Sequence, residues 1–224
     1  LLLAMKRAVH RFDPVTGARS EFARPDTEPA TNRFNDGRCD RAGRFWAGTM
    51  SEGPREPVGS LYRIDPDGRC VRRFDEIFVP NSLAFSPDDR IMYFSDTHRH
   101  LIWTCAYDLA TGQAGERRIF SDLRERQGRP DGSAIDADGC LWNCEYGGGR
   151  VVRYTPDGVV DQVVTLPATN ATCCAFGGAD LRTLYITTAT QRLTPEDLER
   201  QPLAGSVFAA RVTIPGLPEA RFGG

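Results

Sequence analysis

The sequence predicts an all-β chain folded as a β-propeller, a ring of small repeated sheets. Three observations carry that prediction. Amphipathic periodicity at 3.6 residues is nearly absent. Short apolar runs broken by Gly, Pro, Asp and Asn recur along the whole chain. One unit, a polar turn followed by an apolar–aromatic strand, returns every 43–49 residues, the length of a four-stranded blade.

Taken in chain order, residues 1–5, 8–12 and 20–23 read as three short strands, so 1–31 is a partial blade. The chain begins with Leu1 rather than Met, in the middle of a strand-like run, so an upstream segment is expected to be missing. Four further units follow at 32–79, 80–126, 127–171 and 172–224, making about four and a half blades in a single domain over 1–224. Their polar turns and first apolar strands lie at 40–46, 86–93, 136–142 and 178–185, with aromatic anchors Trp46, Tyr93, Trp142 and Tyr185. Second hairpins are read at 59–68, 101–112 and 149–158, ended by Pro-Asp-Gly or Asp-x-x-Thr-Gly. Pro presets φ in such turns and Gly accepts positive φ. A single helix is predicted at 194–200, with Thr194 as its cap, Pro195 in its first position, and Glu196 and Asp197 suiting its N-terminal dipole.

Composition excludes several classes. At 40% hydrophobic and 26% charged residues the chain is an ordinary globular protein. A net charge of -2 speaks against nucleic-acid and anionic-membrane partners, which need a basic surface. No apolar run of membrane-spanning length exists. The apolar first five residues are too short for a signal segment. The seven cysteines are odd in number and irregularly spaced. Together these predict free thiols and a cytoplasmic protein. Cys140 and Cys144 have no second Cys or Cys-His pair at zinc-finger spacing.

In a propeller the innermost strand of each blade lines the channel. Stepping back 11 or 12 residues from the four anchors gives Asn35, Asn81, Asp131, and Cys173 or Cys174. Amide and carboxylate oxygens on one axis suit one divalent cation, Ca²⁺ or Mg²⁺, or the borderline Mn²⁺ and Zn²⁺. Taken singly, Pro80-Asn81 and Pro130-Asp131-Gly132 are turn sequences; their shared phase favours a site. His10, His98 and His100 fall outside that phase. A Gly-x-Ser-x-Gly elbow is absent, so a serine hydrolase is a poor reading. Gly147-Gly148-Gly149 lacks the Lys-Ser/Thr of a phosphate loop.

The stretches RFNDGRCDRAGRFWAGTM, VPNSLAFSPDD, GRPDGSAIDADGCLWNCEYGGGRVVRYTPDG and FGGADLRTLYITTA together resemble the senescence-marker protein / gluconolactonase / luciferin-regenerating enzyme family, over nearly the whole chain. The resemblance implies a six-bladed β-propeller holding one divalent metal, and hydrolysis of a sugar lactone. It implies Asn81 and Asp131 as metal ligands, with Asp131 also the candidate proton acceptor in catalysis. Arg33 and Asn35 match substrate-binding residues on the channel rim. Glu52 matches a substrate-contacting acid, with Gly53 as the alternative register. Two departures stand out. Ser82 replaces a Gly that usually follows the metal-binding Asn, a change tolerated if the backbone there is not left-handed. A third ligand, a Glu, would lie upstream of Leu1. The rival readings are a non-catalytic calcium-binding or interaction propeller, and an inactive fragment of the lactonase.

Overall fold

Turn chemistry decides where each strand ends. At the first repeated turn the Asp40 carboxylate accepts the amides of Ala42 and Arg44, both at 3.0 Å. Gly43 takes φ +83° there, a conformation that costs glycine nothing. Asp136 repeats the device on the amides of Asp138 and Cys140, at 3.0 Å each.

A computed structural model describes Leu1–Gly224 as five antiparallel sheets in sequence order. The first holds β1 (Leu2–Ala4), β2 (Val9–Phe12) and β3 (Arg19–Ala23). The second holds β4 (Asn32–Cys39), β5 (Phe45–Ser51), β6 (Gly59–Ile64) and β7 (Cys70–Ile77). The third holds β8 (Pro80–Phe85), β9 (Ile91–Asp96) and β10 (Leu101–Asp108), with β11 (Gln113–Ala114) and β12 (Arg118–Asp122) both pairing β10. The fourth holds β13 (Arg129–Ile135), β14 (Leu141–Tyr146), β15 (Arg150–Tyr154) and β16 (Val160–Thr165). The fifth holds β17 (Ala171–Gly177), β18 (Thr183–Thr188) and, after helix α1 (Pro195–Arg200), β19 (Val207–Arg211). The helix carries the expected Thr194 cap.

Each gap between neighbouring sheets is filled by one apolar cluster. Val9, Phe34, Ala47 and Tyr62 fill the first, and Trp46, Leu83, Phe94 and Trp103 the second. Tyr93, Ile135, Leu141 and Tyr154 fill the third, and Trp142, Cys144, Cys174 and Ile186 the fourth. Strands covered on both faces are buried without alternation, as in β14, buried at all of its first five positions including Asn143 and Glu145. In contrast, β18 alternates, and the anchor Tyr185 is 45% exposed while Leu184 and Ile186 are buried. The segment after β19 passes under the turns: the amides of Ala137 and Gly223 reach Pro215 O (2.9 Å) and Gly43 O (3.0 Å). No helix is long and apolar enough to cross a membrane, and all seven cysteines are free.

The turn carboxylates also hold the blades internally. Asp136 is fully buried and accepts from Trp142 Nε1 (2.8 Å) and Arg153 Nε (2.7 Å) besides its two amides. Replacing it leaves Trp142 Nε1 and Arg153 Nε without their acceptor, while Arg153 keeps Asp138 and Asp161, so Asp136→Ala is expected to cost about 1–3 kcal/mol. Urea unfolding checks this as a lowered midpoint at unchanged slope.

Candidate active site at the channel mouth

The residues predicted for the site lie on the face opposite those turns, where the innermost strands begin. Each of these strands breaks its ladder at the same place. Register shifts fall between Phe34 and Gly37 in β4, between Asn81 and Ala84 in β8, and between Pro130 and Ser133 in β13. In each, two residues of the inner strand stand opposite one, a β-bulge that turns a side chain out of the sheet. The bulged pairs are Asn35-Asp36, Ser82-Leu83 and Asp131-Gly132. Counted from the turns, Asn35, Asn81 and Asp131 share one position, each five residues before the turn residues Asp40, Ser86 and Asp136. The turn at 86–90 is one residue longer, which sets the step of 12 before Tyr93, and the bulge in β8 falls one residue later along the strand, at Ser82-Leu83. Asp36-Gly37, read as a local turn, is the second half of a bulge within β4.

A directed chain of hydrogen bonds crosses three sheets here. Arg33 Nη1 donates to Asn35 Oδ1 (2.9 Å), and Asn35 Nδ2 donates to Asn81 Oδ1 (2.9 Å) and to Pro80 O (2.9 Å). Asn81 Nδ2 donates to Thr97 Oγ1 (2.7 Å), whose hydroxyl donates to Pro130 O (2.6 Å). The carbonyls fix every direction. Pro80 O only accepts, so Asn35 must present its NH₂ there. Pro130 O only accepts, so Thr97 must accept from Asn81. The Asn81 amide oxygen is thereby held in place, with one lone pair beyond the Asn35 bond.

Asp131 differs from the other carboxylates drawn into the fold. Asp40, Asp96, Asp136 and Glu145 each pair with an arginine, namely Arg44, Arg99, Arg153 and Arg150, at 2.6–2.7 Å. Asp131 has no such partner. Burial, and then the nearby charge of Asp36, push it up to about 8, opposed only by the Gly132 amide. Asp36 is itself raised by burial, while its oxygens accept from Leu83 N (3.1 Å) and Gly37 N (2.8 Å). A half-buried carboxylate beside a second one, with a fixed amide oxygen on the neighbouring strand, supplies hard oxygen donors of the kind divalent cations take.

Arg33 and Glu52 meet at the rim, Arg33 Nε lying 3.9 Å from the carboxylate, which also pairs with Lys6. They line one cleft of about 280 Å³ with Met50, Arg55, Phe78 and Val79. Gly53, the alternative register for Glu52, lines the same cleft. The structure thus links Arg33, Asn35 and Asn81 directly, ties Asn81 to the Asp131 strand through Thr97, and sets Glu52 on the cleft side of Arg33. Sequence reasoning missed Asp36, Thr97 and Asn143. Asn143 had a signal: it is the one amide in the strand Leu141–Tyr146, set between the apolar Trp142 and Cys144. Ser82 also departs from expectation, since its backbone is left-handed at φ +60°.

The family model described as SMP-30/Gluconolactonase/LRE-like region matches residues 1–190. The chain is 41% identical to a 6-deoxy-6-sulfogluconolactonase of Pseudomonas putida, covering 100% of this chain and 77% of that protein. It is also 41% identical to regucalcin of Gallus gallus, over 91% of this chain and 70% of that one. Among solved structures it is similar to a calcium-binding protein, regucalcin, from Agrobacterium tumefaciens str. C58. The TM-score is 0.94 at 32% identity, covering 99% of this chain and 75% of that chain.

Thr97 tests the directed chain. Thr97→Val leaves Pro130 O and Asn81 Nδ2 without partners and is expected to destabilise by about 1–3 kcal/mol. Thr97→Ser keeps the hydroxyl and is expected to retain most of that stability. Urea midpoints of the two variants separate hydrogen bonding from packing.

Proposed function

The chain belongs to the SMP-30/gluconolactonase/LRE-like family, and on that premise we propose that it is a lactonase opening a sugar lactone at the channel mouth. The observation that carries this reading is Asp131, the half-buried carboxylate left without an arginine at the start of the strand tied to Asn81 through Thr97. A relative identical at 41% of positions over the full chain is named as a sulfogluconolactonase, which supports the reaction class.

Hydrolysis adds water to the lactone carbonyl and breaks the ring C–O bond, leaving a hydroxy acid. Asn81 and Asp131 are the residues that would hold a divalent cation. When bound, such an ion polarises the carbonyl oxygen and makes a water more acidic. Asp131, with no arginine paired to it, takes the proton released as water attacks. Arg33 and Asn35 hydrogen-bond the sugar hydroxyls. Their own donors and acceptors are pre-set by the chain through Asn81, so little ordering is left for the moment of binding. Glu52 closes the cleft around Arg33 and accepts from a further hydroxyl. The relatives named regucalcin, one of them described as calcium-binding, support a divalent ion without choosing among Ca²⁺, Mg²⁺, Mn²⁺ and Zn²⁺. Seven free cysteines support a reducing, cytoplasmic setting.

The test is hydrolysis of D-glucono-δ-lactone, followed by acid release, with Mn²⁺, Zn²⁺ or Ca²⁺ added and with a chelator. Turnover is expected only with metal, and Asp131→Ala is expected to lower kcat/KM by about 100-fold or more. Undiminished turnover in chelator overturns the metal role, and undiminished turnover in Asp131→Ala overturns the assignment of Asp131. Arg33→Ala is expected to raise KM severalfold more than it lowers kcat, the signature of a group that binds substrate and transition state alike. Initial rates across a substrate series check it.

A further inference from the structure

Ser82 pays a conformational cost that glycine would avoid. At φ +60° an L-residue is disfavoured by roughly 1–2 kcal/mol. Its side chain is fully buried and fully bonded. Oγ donates to Asp131 O at 2.5 Å and accepts from Ser95 Oγ at 3.0 Å and Asn143 Nδ2 at 2.9 Å. That uses the one proton and both lone pairs of a hydroxyl. Asn143 Nδ2 also reaches Asp131 O at 3.2 Å and Ser133 Oγ at 2.9 Å. Its orientation is set, because a carbonyl can only accept. The Asp131 carbonyl lies in the β13 bulge, outside the ladder with β14. Two side chains, one from the neighbouring sheet and one from β14, therefore bond a peptide that the ladder has released.

We propose that Ser82 is a positioning residue for Asp131: its hydroxyl, with Asn143, locks the Asp131 peptide so that the carboxylate projects into the channel in one orientation. The left-handed backbone is what aims Oγ across the sheet boundary at that carbonyl. A peptide free to rotate would swing the carboxylate by an ångström or more, a displacement that costs catalysis steeply. The kinetic arm of the test rests on the lactonase reading, and the exchange arm does not.

Ser82→Gly separates this role from a merely structural one, because glycine relieves the backbone strain while removing Oγ. In the full chain, amide hydrogen exchange of the peptide spanning 130–134 is expected to speed up at least about tenfold in Ser82→Gly. With D-glucono-δ-lactone, kcat is expected to fall about tenfold with KM within about twofold, in the range found when the groups supporting a reactive residue are removed. Ser82→Ala, which keeps the strained backbone and the packing volume of Cβ, is expected to show the same kinetic split and serves if the glycine variant does not fold. Unchanged exchange at 130–134 overturns the proposal, as does faster exchange with unchanged kcat. If the wild-type chain opens no lactone, the lactonase reading fails and the exchange arm alone decides whether Ser82 holds Asp131.

Discussion

The constraint on which the site depends is the break in the ladder at the start of each innermost strand. A buried backbone carbonyl must find a donor, and a β-bulge removes the one its ladder would supply. In β4, β8 and β13 the break falls within one residue of the same height, and each of these strands is also the edge of its sheet, so carbonyls without a ladder donor collect around one point. Side chains of neighbouring strands then supply the donors. Asn35 bonds Pro80 O, Thr97 bonds Pro130 O, and Ser82 bonds Asp131 O. The groups that stitch one sheet to the next are thus the groups that surround the channel. Stability and chemistry share the same atoms there, which is why a single hydroxyl can matter to both.

Electrostatics divides the carboxylates of the fold into two kinds. Those in the turns and at the outer ends of second strands are neutralised on the spot, as Asp136 is by Arg153 and Glu145 by Arg150. They close loops and cost little. Asp131 is half-buried, with another carboxylate close by and no arginine paired with it. Holding such a group has an energetic cost that packing elsewhere must cover. The four apolar clusters between the five sheets supply it, each drawing on large side chains such as Trp46, Tyr93 and Trp142 that are almost wholly buried.

Geometry at the rim has a different character. Arg33 is bonded to Phe34 O and to Asn35, and Glu52 to Lys6, so the polar groups facing the cleft arrive already oriented. Neutral amides and one arginine–carboxylate pair suit a polyol, whose hydroxyls both donate and accept. The bare carboxylate of Asp131 follows directly on Pro130, where that chain of bonds ends. The groups proposed to bind and the group proposed to react are therefore separated along the channel mouth.

The repeat period, the turn residues and the aromatic anchors determined the propeller, the order of its sheets and the helix at Pro195–Arg200, because each is set by neighbours a few residues apart. The candidate residues Asn35, Asn81 and Asp131 were legible for the same reason: they precede their anchors by a nearly constant step, whereas Arg33 came from the family resemblance. Only the tertiary structure decided the rest. The longer turn in the third sheet accounts for the step of 12 from Tyr93 to Asn81, and the bulge one residue further on, at Ser82, is invisible without the register. Asp36 looked like half of a turn, and its charge on Asp131 appears only when β4 and β13 share a channel. Thr97 and Asn143 act across 33 and 61 residues of sequence, on Pro130 O and Ser82. No local pattern encodes such partners, because they are fixed by which strands the closed packing of sheets brings side by side.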